Sequence, residues 1–80
     1  MQNFNSIAQV RQYALQRAGD KPYNQQTDEE KAYFYVAACC NQVIPNIVYN
    51  LRTQARYTNS QVMRETLESI SDCLEQDEEL

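Results

Sequence analysis

Apolar residues recur along this chain at helical spacing, and the places where the recurrence fails mark the boundaries of its elements. Ile7, Val10, Ala14 and Ala18 follow one another at steps of three and four, with Tyr13 and Leu15 on the flanks. Ser6 stands in front as an N-cap, and Gly19 follows where a helix ends readily. The spacing predicts a first helix between them, with Arg11 as an interruption of its stripe. "GDKPYNQQ" keeps no apolar period and reads as a connector, with Asp20 and Pro22 favouring a turn.

The next helix has the clearest start. Thr27 with Glu30 three residues on is the capping-box pattern, and Asp28, Glu29 and Glu30 lie where the positive end of the helix dipole favours carboxylates. Projected at about 100° per residue, Tyr33, Val36, Ala37, Cys40, Val43, Ile44, Ile47, Val48, Leu51 and Ala55 fall on one broad arc. The arc keeps a single phase across Pro45. That persistence predicts one kinked helix from about Asp28 to Arg56. The alternative is a split at Pro45 into separate helices, because proline gives no amide hydrogen, crowds the carbonyl of Asn41 and pushes Ile44 away from helical geometry.

"YTNSQ" supplies the last boundary. Thr58, Asn59 and Ser60 are all able to cap, and Thr58 with Gln61 repeats the capping-box spacing. Val62, Met63, Thr66, Leu67, Ile70, Cys73 and Leu74 then share an arc, while Glu65, Glu68, Asp72 and Glu75 lie off it. The closing "EQDEEL" sets negative charge at the negative end of the dipole, so residues 75–80 are expected to fray. No strand-like alternation of useful length appears. The expected fold is all-α: a single small three-helix domain over residues 1–80 with a long, Pro-kinked central helix, or four helices if Pro45 splits it.

Composition narrows the function more than it identifies it. The 80 residues make one small domain. A core of this size supplies about 3–5 kcal/mol unless something staples it. The 3 cysteines are an odd number for a disulfide framework. No basic-then-apolar leader, membrane-length apolar run or Asn-x-Ser/Thr site is present. These observations lead to the expectation of a cytoplasmic protein with reduced thiols, in a host cytoplasm if the gene is viral.

The net charge is −4, and it is uneven. From Glu65 onward the chain carries acids and no Lys or Arg. Glu65, Glu68, Asp72 and Glu75 make a candidate acidic surface, suited to a basic partner or to mimicry of DNA charge. Such a surface repels phosphate, so direct nucleic-acid binding is disfavoured.

Chemistry is scarce. The chain has no histidine, which removes the commonest general base and the commonest metal ligand. There is no Gly-rich phosphate loop. Cys39, Cys40 and Cys73 are too few for a structural zinc site, and neighbours on a helix point about 100° apart. The expectation is no catalytic residue, no metal and no cofactor.

Projection sends Cys40 into the core and leaves Cys39 on an uncharged face with Tyr35, Gln42, Asn46 and Tyr49, flanked by Phe34 and Ala38. Uncharged faces with tyrosine suit interfaces, because tyrosine buries large area at low entropy cost. A helix apolar almost all round needs cover on several sides, so this face predicts a protein partner or self-association, most simply a dimer. Arg52, Arg56 and Tyr57, with Tyr49 one turn before Arg52, form a small basic-aromatic cluster able to meet an anion or an acidic partner.

The leading functional expectation is therefore a non-catalytic acidic interaction protein, a regulator or inhibitor of a larger protein or complex. Small phage and mobile-element proteins that block bacterial defence are of this build. The alternatives are an oligomer that sequesters a nucleotide or other small molecule, and a structural assembly subunit.

Overall fold

The computed structural model describes residues 6–78, with side chains as far as residue 75. The elements are α1 (Ile7–Ala18), a 3₁₀ turn (Tyr23–Gln25), α2 (Asp28–Cys39), α3 (Ile44–Tyr57) and α4 (Gln61–Glu78). The protein is all-α, as the apolar spacing predicts, and the described residues hold no strand. The split at Pro45 is the version of the central segment that occurs. The expected fraying of residues 75–80 falls almost wholly outside the described side chains.

The ends of the first two helices are built from the residues their sequence advertises. Ser6 Oγ accepts from the Gln9 amide at 3.3 Å. Gly19 takes φ 76°, and its amide donates to the Leu15 carbonyl. At the start of α2, Glu30 N–H donates to Thr27 Oγ1 at 3.1 Å and Thr27 N–H donates to Glu30 Oε1 at 2.8 Å. That backbone donor holds the Glu30 carboxyl below its ordinary pKa, and Lys21 Nζ at 3.3 Å adds to it. Among the capping candidates before α4, Ser60 is the one used: its Oγ accepts from the Met63 amide at 3.2 Å. Thr58 instead accepts from Ser60 N–H.

The continuous helix from Asp28 to Arg56 does not form. Its 1.5 Å rise per residue would make it about 43 Å long, whereas the longest extent of the molecule is 37 Å. The chain leaves α2 after Cys39 and re-enters a helix at Ile44, with Val43 extended (φ −75°, ψ 157°) as the cap. Pro45 falls at the second helical position. There its missing N–H is one of the donors that no helix satisfies, so it costs no hydrogen bond. Asn46 and Ile47 both donate to the Val43 carbonyl at 3.0 Å and start the new helix. The apolar phase persists across the break because residues 40–43 stand in for about one helical turn. Val43, placed on the arc by projection, is a 60 % exposed turn residue.

Two helical hairpins result. α1 packs along α2, α3 packs along α4, and the hairpins meet chiefly through α2 and α4. The shared core takes Val10 and Ala14 from α1, Val36 and Cys39 from α2, Ile47 and Leu51 from α3, and Leu67 and Leu74 from α4. Tyr13 and Tyr33 meet edge-on at 5.9 Å, with the Arg17 guanidinium over both rings, and so close the α1–α2 seam. At the α3–α4 corner Arg64 donates to the Ala55 carbonyl at 3.2 Å and the Thr58 carbonyl at 2.9 Å, satisfying acceptors that α3 leaves open. Ser60 Oγ donates to Asp28 Oδ2 at 2.7 Å, tying that corner to the start of α2.

The helix break has a measurable signature. Pro45→Ala is expected to change stability by less than about 1 kcal/mol, or by a few degrees in thermal midpoint at roughly 4–8 °C per kcal/mol. Removing a proline from a helix interior would add about 3 kcal/mol instead. A midpoint rise of more than about 12 °C would mean that Pro45 interrupts a helix rather than starting one.

Candidate functional site

The five residues projected onto one uncharged face do not share one. Tyr35, Cys39 and Gln42 lie at the α2–α3 seam. Tyr35 OH reaches the Asn50 carbonyl at 3.5 Å, and Asn50 Nδ2 donates to Gln42 Oε1 at 2.8 Å. Cys39 is only 6 % exposed, in the core rather than on a surface. Asn46 and Tyr49 belong to α3 and are exposed, Tyr49 at 70 %. The projection assumed one helix axis, and the turn at residues 40–43 replaces it with two. Asn50, which stitches the seam, carries no signal in the apolar pattern, because it lies off the arc.

The thiols are set by this burial. Cys40 is in the core, as projected, and its Sγ–H donates to the Val36 carbonyl at 3.2 Å. Burial raises the pKa of Cys39, against a smaller opposite effect of the Tyr35 hydroxyl. Burial also raises Cys40, and the neighbouring Cys39 adds to it. Both are therefore protonated at neutral pH, the form that is a poor nucleophile and a poor ligand. Among the described residues no group of three or more Cys, Asp or Glu side chains is placed to hold a metal.

The outer side of α3 is where exposed apolar and basic groups gather. Pro45, Tyr49, Thr53 and Tyr57 succeed one another every fourth position, and Tyr57 is 75 % exposed. With Val48, Arg52 and Arg56 they line a shallow cleft of about 370 Å³. The helix carries no acid.

A second cleft of about 420 Å³ lies beside it, between α3 and α4, lined by Arg52, Arg56, Glu68 and Asp72. Here the basic cluster and the acidic surface, separate in sequence, come together. Arg52 Nη2 pairs with Asp72 Oδ1 at 3.0 Å and Nη1 with Glu75 Oε2 at 2.8 Å. Glu65 accepts from Gln61 Nε2 at 3.0 Å. Arg56 and Glu68 make no ion pair among the described residues. An incoming phosphate would have to displace two carboxylates to reach Arg52.

Another exposed aromatic pair sits on the opposite hairpin. Tyr23 and Phe34 meet at 5.8 Å, and Lys31 Nζ lies 5.1 Å from the Tyr23 ring centre. Leu15 is half-exposed over a cleft on the outer side of α1.

Thiol labelling of the native protein reads this arrangement directly. Cys73, half-buried near the end of α4, is expected to alkylate first. Cys39 and Cys40 are expected to follow at least about tenfold more slowly, because they wait for opening of the fold. Peptide mass spectrometry after a short iodoacetamide pulse gives the order. Early labelling of Cys39 would return it to a surface.

No protein-family model matches the chain, and neither does a curated protein or a solved structure.

Proposed function

We propose that this chain is a non-catalytic interaction protein, a small regulator or inhibitor that docks on a larger protein through the outer side of α3. The observation that carries the reading is the exposure of Tyr49 and Tyr57, at 70 % and 75 %, along a helix whose charged residues are all arginine. Tyrosine and arginine dominate the energetic centres of protein interfaces, where a large, stiff ring enters a pocket and a guanidinium meets acceptors. The inner side of α3 already holds the protein's own core, so these rings contribute to neither packing nor capping. The protonated, buried thiols and the absence of histidine support a role in binding rather than in bond-making. Acidic residues on α4 beside this face favour a partner whose contact surface is mixed in charge rather than a nucleic-acid backbone.

Affinity capture from lysate followed by quantitative binding of the recovered protein tests the reading. Tyr49→Ala and Tyr57→Ala are each expected to weaken the complex about tenfold to thirtyfold, the range of an interface anchor. Far-UV circular dichroism should stay unchanged, because neither ring is in the core. A complex indifferent to both substitutions would move the contact to another face.

A further inference from the structure

We infer that two copies of this chain pair through the charged cleft between α3 and α4, with a two-fold axis running along that cleft. α3 and α4 are joined by the short turn at residues 58–60 and run antiparallel, so Arg52 stands level with Asp72, which it meets at 3.0 Å. Arg56, one turn further along α3, shares the cleft with Glu68, one turn earlier on α4. Basic groups thus occupy one wall and acidic groups the other, at matching heights.

A half-turn about an axis parallel to the helices and midway between them lays α3 of one copy over α4 of the other without sliding either along its length. Each arginine then faces, in the second copy, the carboxylate that stands level with it in its own. Charges of opposite sign alternate around the axis at both levels. The other two-fold in the plane of contact, across the helices, stacks α3 on α3 and α4 on α4. It sets like charges against each other, which costs affinity. Complementarity therefore selects the orientation, and the interface is isologous.

Arg56 and Glu68 have the most to gain. Neither has an ion pair among the described residues, and each finds one across the axis. Pro45 and Tyr49, both exposed, line the adjoining cleft with Arg52 and supply apolar contact at its edge. The net charge of −4 per copy opposes any encounter of two copies in general. Pairing here depends on this local complementarity, not on overall attraction. It requires no foreign partner and is read on the purified chain alone, so its test is separate from that of the docking function, although Arg52 and Arg56 line both clefts.

The test is a charge exchange read by sedimentation equilibrium of the purified chain over a concentration series. Wild type is expected to show a monomer–dimer equilibrium that weakens as salt screens the pairs. Arg56→Glu and Glu68→Arg are each expected to weaken it about tenfold or more on their own. Mixed in equal amounts, the two variants should dimerise again. The introduced glutamate of one copy then faces the introduced arginine of the other, and the unaltered Glu68 and Arg56 face each other at the symmetric position. No rearrangement within a single chain produces that recovery. Circular dichroism of each variant confirms that it is folded. A wild type that stays monomeric throughout overturns the inference, and so does a dimer that ignores both reversals or a mixture that fails to recover.

Discussion

The nitrogen of Pro45 carries no proton, and the shape of the molecule depends on where that deficit falls. Inside a helix it would leave the Asn41 carbonyl without a donor and press a ring against it. In the first turn of α3 it falls among amides that have no helical acceptor in any case. The chain therefore ends one helix at Cys39, crosses to Val43 and starts another at Ile44. That reversal converts a rod into two hairpins. It lets α2 take cover from α1 on one side and α4 on the other. It also turns the far side of α3 away from the core, which is why Tyr49 and Tyr57 are exposed. The corner at residues 58–60 completes the arrangement, with Arg64 closing the open carbonyls of α3 and Ser60 linking α4 to α2.

Much of this was legible from residues whose signals are local. Ser6 and Gly19 bound α1 as their chemistry predicts, and the Thr27–Glu30 box forms with both bonds made. The apolar steps in α1 and α4 found Val10, Ala14, Leu67, Ile70 and Leu74 correctly. What was not legible is the direction in which a helix axis continues. Period carries angle about an axis but says nothing of whether the axis persists. The four-residue spacer between α2 and α3 happens to equal about one turn, so the phase is the same for a kinked helix and for a reversal. The placement of Cys39 failed because the chain folds back and α2 is covered on more than one side, which also buries Ala32 off the projected arc. Ser71 shows another limit: it is fully buried in α4, where its hydroxyl donates to the Leu67 carbonyl at 2.8 Å. A hydrophobic pattern passes over a serine that satisfies itself within its own helix.

Charge teaches the same lesson at longer range. Read along the chain, Arg52 and Arg56 form a basic cluster, and Glu65, Glu68, Asp72 and Glu75 an acidic stretch with a different addressee. The hairpin of α3 and α4 makes Arg52 and Arg56 one wall of a cleft and Glu68 and Asp72 the other. Each exposed ion pair there contributes no more than about 1 kcal/mol to stability, so the pairs do not hold the hairpin together; Leu51, Leu67 and their neighbours do that. What the pairs do is fix which chemistry suits the cleft. An arginine already held by Asp72 and Glu75 sits in a local excess of negative charge, which favours an incoming guanidinium over capture of a phosphate. The molecule's overall acidity is then a weak guide to its contacts. The arrangement of its charges by level across α3 and α4 is a stronger one, because recognition between surfaces depends on the potential each presents locally.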